Sequence, residues 1–281
     1  MVREVYAAQL EDLASHGYVV AAISHPYDAI VTVFPDGSRI VYDQKRWPKP
    51  SSFEGEANLN ELEWHADDIR FVLDELNQSN EISSSTLPFA GHLDLSQVGA
   101  FGHSFGGIAA ARACQKDHRI KACLNQDGAV GMRPFYLDGQ GWGMDQAFMF
   151  IERAPRTEPP SEKDLADMKM TREWADEIMA RLKAYKDRVL RSTGKGGYHV
   201  VLQSSTTTHM DFSDLPVLGA RDRAEAETRA RVLKVVREYT RTFFDHYLKG
   251  MKTPMLDGKS TNPLVENVQR LAPAKRSNDR R

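Results

Sequence analysis

The chain has 281 residues, of which 41% are hydrophobic, and this is enough to fill the core of one large α/β domain. A formal net charge of −2 excludes any general attraction to nucleic acids or acidic membranes, and no apolar run approaches the length that spans a bilayer. No signal peptide precedes the first helix, so the sequence as written predicts a cytoplasmic protein, or a secreted or periplasmic one if the natural N-terminus is missing.

The first third of the chain alternates between helix and strand. An amphipathic helix is predicted to end at Gly17, and the apolar run at residues 18–24 is typical of a parallel strand that is covered on both faces. Beyond the loop at residues 25–29, residues 30–42 predict a β-hairpin, and an apolar stripe predicts a helix over residues 59–76.

The most informative stretch is Gly-Ala-Phe-Gly-His-Ser-Phe-Gly-Gly at residues 99–107, which contains the motif G-x-S-x-G with Ser104 at its centre. A short buried strand is predicted before it and a helix with a small-residue face after it, and this is the context in which the motif exposes a nucleophilic serine. Side chains at Gly102 and Gly106 are expected to collide with the neighbouring strand and helix. The alternative is a glycine-rich turn without chemistry.

The rest of the chain continues the alternation. Strands are predicted at residues 119–125, 147–151 and 198–202, and helices at residues 161–193 and 222–249. This order predicts an α/β fold with a mostly parallel sheet, helices on both faces and ligands at the carboxyl ends of the strands. We expect a single domain over residues 1–269, with the helix at 161–193 as a candidate cap, and a disordered basic tail over residues 270–281.

A nucleophilic serine needs a base, and the base needs an acid that orients it. In the fold that carries this motif the chain order is serine, acid, histidine. The histidines that follow Ser104 are His118, His199, His209 and His246. Of these, His209 lies in the loop that leaves the last predicted strand at its carboxyl end, and it is therefore the predicted base.

Asp127 is the predicted acid, because it stands just past the carboxyl end of the strand at residues 119–125, which fixes its position. Asp138 and Asp145 lie in the following loop, where carboxylates are usually solvated. The alternative is that Asp127 is an ordinary turn aspartate before Gly128.

An oxyanion hole needs two N–H donors. One is expected from the residue after the nucleophile, Phe105, and the other from a loop between the third strand and the first helix. That loop should precede Tyr6, where five residues remain. The sequence therefore predicts weak activity, since loss of one donor lowers the rate by about 10²–10³.

The remaining side chains leave alternatives open. Apolar residues after the acid either line a substrate pocket or pack the loop, and they are Met132, Phe135, Tyr136, Trp142 and Met144. Cys114 and Cys123 are expected to be buried apolar residues, with a disulfide as the less favoured alternative. No motif predicts a cofactor or a metal site.

Four stretches together resemble the plasma-type platelet-activating-factor acetylhydrolases and their bacterial esterase and lipase relatives. They are residues 12–23, 25–29, 67–74 and 98–107, the first reading Asp-Leu-Ala-Ser-His-Gly-Tyr-Val-Val-Ala-Ala-Ile and the second His-Pro-Tyr-Asp-Ala. The resemblance covers residues 6–250 and implies an α/β-hydrolase fold. It also implies that the acid follows the strand after the elbow helix and that the histidine follows the last strand, which matches Asp127 and His209.

The chain also departs from that family. The family normally begins with strands and a Ser-His-Gly loop that supplies the first oxyanion donor, whereas this sequence starts just after that loop. The fold is therefore expected to be N-terminally shortened, with a gap between the strand at residues 18–24 and the strand before Ser104. Either the first of these strands shifts into the gap, or the chain is a fragment, or another copy fills the gap.

The function predicted from the sequence is a serine carboxylic-ester hydrolase with an acyl-enzyme intermediate. Its expected substrates are short-chain or oxidised acyl esters, with phospholipid acetyl esters as one candidate. The alternatives are a catalytically weak or inactive hydrolase fold that binds a hydrophobic ligand or partner, and a lipase or polyester hydrolase. The expected partners are a small ester or lipid substrate and, as a candidate, a second copy of the chain, with no nucleic acid and no transmembrane segment.

Overall fold

The structure of the chain is a computed structural model. It describes residues 2–43, 45, 56–82, 89–128, 144–155, 160–167, 170–191, 193–257 and 260–273. Among these residues, no helix is both long and apolar enough to cross a membrane.

Strands and helices alternate along the described chain. The strands are β1 (Val31–Val33), β2 (Arg39–Val41), β3 (Val98–His103), β4 (Ile120–Gln126), β5 (Ala147–Arg153), β6 (Gly197–Leu202) and β7 (Val265–Leu271). The α-helices are α1 (Ala7–Ser15), α2 (Glu56–Glu81), α3 (Phe105–Lys116), α4 (Glu162–Asp167), α5 (Arg172–Arg191), α6 (Leu215–Leu218), α7 (Arg223–Lys249) and α8 (Pro254–Asp257). Turns of 3-10 helix span Arg3–Tyr6 and His209–Phe212.

The central sheet has the strand order β3-β4-β5-β6-β7. Its first four strands are parallel, and β7 pairs with β6 in the antiparallel direction. The predicted hairpin is confirmed as the separate pair β1-β2, with Val31 opposite Val41. The predicted first and last helices are confirmed as α1 and α7, and α7 ends at Gly250 in the left-handed conformation with φ 67°.

Helices cover the sheet on both faces, as the period-two pattern of its strands requires. In β4, Leu124 belongs to the cluster beneath α1 and α7, whereas Cys123 belongs to the cluster beneath α2 and α3. In β5, Met149 and Phe150 divide in the same way. Burial on both faces explains why these strands read as continuous apolar runs, and it confirms the predicted α/β architecture.

The strand predicted at residues 18–24 is wrong. The structure gives these residues no regular secondary structure and no pairing with β3, the outermost strand of the five on that side. Tyr18 and Val20 pack against the core while Val19 is 56% exposed, so the side chains are placed as the apolar pattern indicates. A β-strand also needs a neighbouring strand whose backbone it can hydrogen-bond, and the apolar pattern of the sequence does not indicate whether such a neighbour is present. The alternative in which this segment shifts into the place beside β3 is thereby contradicted.

The cysteines are joined in a disulfide, so the expectation of two unlinked apolar side chains is wrong. Cys114 lies in the last turns of α3, and Cys123 lies on β4 on the sheet face that α3 covers. Their Cα atoms are 6.5 Å apart, within the range that a disulfide can join. The sequence separation of nine residues does not indicate a disulfide, because the distance between the two cysteines depends on how α3 packs on β4.

Two boundaries also differ from the prediction. The helix expected over residues 161–193 is divided into α4 and α5, and Trp174, expected on its buried stripe, is 38% exposed. The first two residues of the tail expected from residue 270 belong to β7, which runs to Leu271, and residues 274–281 lie outside the described residues. β7 was not predicted, since its middle residues are mostly exposed and polar, as on an edge strand.

Candidate active site

Ser104 forms the sharp turn between β3 and α3. β3 continues to His103 and α3 begins at Phe105, so Ser104 is the one residue between them, with φ 57° and ψ −126°. Its N–H donates to the carbonyl of Gln126 on the neighbouring strand at 2.8 Å. A non-glycine residue with positive φ is strained, and such strain is typical of functional sites.

The glycines of the motif act differently from the expectation. A Cβ at Gly102 would collide with the backbone of Gly106, and a Cβ at Gly107 would collide with the carbonyl of Gly102 and the side chain of Asn125. A Cβ at Gly106, in contrast, would meet open space, so the predicted collision there is wrong. The close approach at Gly102 is what lets the chain turn from β3 into α3 within one residue.

A continuous chain of hydrogen bonds links the three residues that the sequence brings forward. Ser104 Oγ lies 2.9 Å from His209 Nε2, and His209 Nδ1 lies 2.6 Å from Asp127 Oδ2. The Asp127 side chain is 8% exposed and that of His209 is 36% exposed, so the acid is enclosed while the base borders solvent. This is the geometry of a nucleophile, a base and an orienting acid.

Asp127 is held by its neighbours on β5. It has φ 52°, and its N–H donates to the carbonyl of Ile151 at 2.8 Å. Arg153 donates to its carboxylate twice, from the backbone N–H to Oδ1 at 3.2 Å and from Nε to Oδ2 at 2.9 Å. Arg153 was not predicted from the sequence. It could have been, because it lies at the carboxyl end of the next predicted strand after Asp127, and such strand ends meet at the binding site.

His209 is the first residue of the 3-10 turn His209–Phe212, which a capping box holds in place. The backbone N–H and the hydroxyl of Thr208 both donate to Asp211 Oδ2, at 2.6 and 2.8 Å. Arg229 of α7 donates to the same oxygen at 3.0 Å. The buried Asp211 therefore ties the turn that carries His209 to α7.

The other candidates lie elsewhere. His199 is on β6 and is bonded to Glu152, and His246 on α7 lies 3.2 Å from the carbonyl of Met251. His118 is exposed just before β4, and Asp145 is exposed just before β5, so both lie at the amino ends of strands, away from Ser104. Asp138 lies outside the described residues.

His103 adds a second histidine beside the base. Its ring centroid lies 4.5 Å from that of His209, and its Nδ1 lies 3.0 Å from the hydroxyl of Tyr6. Phe212 stacks on it at 5.6 Å. Burial lowers the pKa of His103 to about 4, so this ring stays neutral when His209 carries a proton. It was not selected from the sequence, because the middle positions of the motif carry no fixed chemistry.

Phe105 is the first residue of α3, where a helix leaves its N–H groups without intrahelical partners and has the positive end of its dipole. Its ring packs on His65 at 5.1 Å, and His65 stacks on His25 at 3.7 Å. Burial lowers the pKa of His65 to about 3. The role of Phe105 as an oxyanion donor and the source of a second donor both stay predictions.

The predicted substrate-binding residues Met132, Phe135, Tyr136 and Trp142 lie outside the described residues. Met144, from the same group, is 2% exposed and packs in the core beneath α2 and α3. For Met144, the packing alternative is therefore the one that the structure supports.

Comparisons with known proteins agree with this architecture. The chain is 30% identical over 128 residues to a probable 1-alkyl-2-acetylglycerophosphocholine esterase of Arthroderma benhamiae, a match that covers 46% of this chain and 28% of that protein. It is 26% identical over 138 residues to the platelet-activating factor acetylhydrolase of Cavia porcellus, covering 44% of this chain and 32% of that protein. These matches thus span about a third or less of the length of the curated relatives.

A solved structure is similar over nearly the whole chain. It is a ferulic acid esterase from Streptomyces cinnamoneus, with a TM-score of 0.68, 25% sequence identity, and coverage of 97% of this chain and 71% of that one. This similarity confirms the α/β-hydrolase fold. The model of the family described as platelet-activating factor acetylhydrolase, isoform II, matches residues 1–221, which is most of the chain. The protein therefore belongs to the platelet-activating factor acetylhydrolase, isoform II, family.

Proposed function

We propose that this protein is a serine carboxylic-ester hydrolase in which Ser104 is the nucleophile, His209 the general base and Asp127 the acid that orients it. The observation that carries the proposal is the unbroken hydrogen-bond chain from Asp127 through His209 to Ser104 at the carboxyl ends of β3 and β4. Family membership and the names of the relatives support the same reaction class.

The reaction follows from the geometry. Ser104 Oγ attacks the acyl carbonyl while His209 Nε2 takes its proton, and the N–H of Phe105 donates to the developing oxyanion. The tetrahedral intermediate expels the alcohol, which receives the proton from His209, and leaves an acyl group on Ser104. Water then attacks this ester with His209 again as the base. This step releases the carboxylic acid product and regenerates the Ser104 hydroxyl.

Short-chain or oxidised acyl esters are the proposed substrates, with phospholipid acetyl esters as one candidate. The names of the curated relatives, an esterase of 1-alkyl-2-acetylglycerophosphocholine and a platelet-activating factor acetylhydrolase, favour an acetyl ester. A chain-length series of p-nitrophenyl esters, with a ferulate ester beside it, measures acyl preference. A preference for long or polymeric esters would instead favour the lipase or polyester hydrolase alternative.

The nucleophile is tested by Ser104→Ala and His209→Ala with p-nitrophenyl butyrate and a fluorophosphonate probe. Each change alone is expected to lower turnover by about 10⁶-fold, to background, because nucleophile and base act as a unit. His199→Ala is the matched control. His199 lies on β6 and is bonded to Glu152, so its replacement is expected to change mainly the stability of the protein. Labelling of wild-type protein at Ser104 supports the proposal. Turnover that survives Ser104→Ala contradicts it, and an unlabelled wild type without turnover favours the inactive binding alternative.

We also propose an oxidising, secreted or periplasmic location over the cytoplasmic one. The support is the disulfide between Cys114 and Cys123, both fully buried, since disulfides persist chiefly outside the cytosol. Alkylation at lysis in denaturant, which exposes any free thiol, followed by mass spectrometry of the intact protein measures it. Two alkylated cysteines in the natural cell contradict this location.

A homodimer is proposed as the assembly. Within the described residues, the outer edge of β3 has no strand beside it, and an open edge is a surface on which another copy can pair. Light scattering after size-exclusion chromatography measures the mass, and a monomer at all concentrations contradicts the proposal.

A further inference from the structure

Arg153 is placed by the sheet directly beside Asp127. β4 and β5 are parallel with Gln126 opposite Ile151, so the residues that follow each of them meet at the carboxyl edge. The backbone then makes two bonds in sequence, from Asp127 N–H to the carbonyl of Ile151 and from Arg153 N–H to Asp127 Oδ1. The side chain adds the ion pair from Nε to Oδ2 at 2.9 Å.

Arg153 and His209 both contact the same carboxylate oxygen of Asp127. Asp127 Oδ2 accepts from Arg153 Nε at 2.9 Å and lies 2.6 Å from His209 Nδ1, so these two nitrogens are no more than 5.5 Å apart. The carboxylate is 8% exposed, and a buried carboxylate is stable only when a cation or several donors pair with it. The guanidinium of Arg153 supplies that positive charge.

We propose that Arg153 is a positioning residue of the hydrolytic site, which locks the Asp127 carboxylate against His209. The proposal rests on the proposed function. The bonds from the backbone N–H and from Nε of Arg153 together fix the carboxylate rotamer, so Oδ2 faces His209 Nδ1. The guanidinium charge also repels positive charge on the imidazole nearby, so its removal is expected to favour the imidazolium.

Among the described residues, the other charged and titratable groups around His209 do not duplicate this role. They are His103 of β3, which burial keeps neutral, Asp211 in its own turn, and Arg229 of α7, which is bonded to Asp211. Asp211 and Arg229 neutralise each other through a 3.0 Å ion pair. Arg153 is thus the cation that shares the orienting carboxylate with the imidazole.

The structure offers a matched control in the ion pair between Arg119 and Asp117. There the arginine side chain is 43% exposed and the aspartate 8%, against 40% and 8% for Arg153 and Asp127. Asp117 and Arg119 lie just before β4, at the amino ends of the strands, whereas Ser104 lies at their carboxyl ends. Arg119 also pairs with the exposed Asp74 at 2.6 Å, so a change at Arg119 removes both of its ion pairs without touching the site.

The experiment compares Arg153→Met, Arg153→Lys and Arg119→Met with the wild type. Arg153→Met is expected to lower kcat on p-nitrophenyl butyrate by about 10- to 100-fold with little change in KM, because misplaced groups reduce the rate strongly. The acid limb of its pH–rate profile is expected to move upward by about 0.5–1 pH unit, since the loss of a partly exposed positive charge favours the imidazolium. Arg153→Lys keeps the charge and is expected to restore the acid limb while kcat stays reduced.

A second measurement does not depend on turnover. In a Ser104→Ala background, the imidazole signals of His209 are followed by NMR as a function of pH, with and without Arg153→Met. The signals are expected to change at higher pH when Arg153 is replaced, and to be unaffected by Arg119→Met. If Arg153→Met behaves like Arg119→Met in both measurements and lowers only the melting temperature, Arg153 is a structural ion pair and the proposal is overturned. Absence of Ser104-dependent turnover overturns the proposed function instead, and the NMR comparison still decides the role of Arg153.

Discussion

At the scale of single residues, Asp127 is the most tightly held member of the site. Its backbone has φ 52°, and its carboxylate is bonded to His209 and Arg153. Asp127→Asn is expected to lower kcat by about 10⁴-fold, because an amide in this place favours the wrong tautomer of the histidine. The measurement is ester turnover, with circular dichroism to verify the fold.

Asp145→Asn is the control for this change. Asp145 is exposed just before β5, at the amino ends of the strands, whereas Ser104 lies at their carboxyl ends. Its replacement is therefore expected to leave kcat unchanged. A larger loss in Asp145→Asn than in Asp127→Asn would move the acid to Asp145 and contradict the assignment.

The glycines of the turn give a second prediction at this scale. Gly102→Ala is expected to lower the free energy of unfolding by about 1–3 kcal/mol, because its Cβ meets the backbone of Gly106. Gly106→Ala is expected to leave stability unchanged or to raise it by up to about 1 kcal/mol, since its Cβ meets open space near the start of α3. Urea denaturation measures both. Equal destabilisation by the two changes would mean that the turn does not pack as described.

Sequence reasoning at this scale selected residues whose position follows from one strand. Ser104, Asp127 and His209 each stand at the carboxyl end of a predicted strand, and the structure brings these three together. Arg153 and Asp211 were missed because their parts depend on a second element, β5 for one and α7 for the other. The catalytic roles of Ser104, Asp127 and His209 stay predictions.

At the scale of elements, the turn His209–Phe212 determines where the base stands. Asp211→Asn removes charge from the group that binds both Thr208 and Arg229, and it is expected to lower the free energy of unfolding by about 1–3 kcal/mol. It is also expected to lower kcat by about tenfold with a smaller change in KM, because His209 loses its fixed position. Steady-state kinetics and denaturation measure the two effects.

Asp222→Asn provides the comparison. Asp222 caps α7 by accepting from the N–H of Glu225 at 2.9 Å, at the exposed start of the helix. The capping oxygen is kept in asparagine, so both stability and kcat are expected to stay close to those of the wild type. An equal loss of kcat in both variants would show that the effect at Asp211 is not specific to the turn.

Most of the elements that form were predictable, but the neighbours of the strands in the central sheet were not. Apolar runs and stripes gave β4, β5, β6, α2 and α7, because burial of these elements follows directly from their side chains. The segment at residues 18–24 has the same apolar pattern without a strand partner, and β7 has a partner without the apolar pattern. The disulfide likewise depends on the packing of α3 against β4.

At the scale of the whole molecule, the strand that carries Ser104 lies at the outer edge of the described sheet rather than at its centre. α2 and α3 cover one face of this edge, and α1 and α7 cover the other. The nucleophile is therefore held by the turn itself and by the bond from its N–H to Gln126 of β4. The stability of the site depends on how well both covering layers stay packed. Buried histidines lie on both sides of this edge, His65 in α2 and His103 at the end of β3, where it stacks on Phe212.

These two histidines predict how the stability of the whole molecule depends on pH. Burial lowers the pKa of His65 to about 3 and that of His103 to about 4, from an ordinary value of 6.5. The unfolded chain therefore binds protons near pH 6.5 while the folded chain does not, so stability falls as the pH falls from about 6.5 toward 4. At pH 5 the loss is about 2 kcal/mol for each histidine.

Denaturation at pH 7.5 and at pH 5 measures this loss in the wild type and in His65→Gln and His103→Gln. Each variant is expected to lose less stability on acidification than the wild type, even if it is less stable at pH 7.5, because glutamine takes up no proton in either state. His118→Gln, at an exposed position before β4, is expected to keep the wild-type slope. Other groups, such as Glu61, whose pKa burial raises to about 7, contribute equally to every variant and cancel in the comparison. Parallel pH dependences in all four proteins would mean that the buried histidines do not control acid stability.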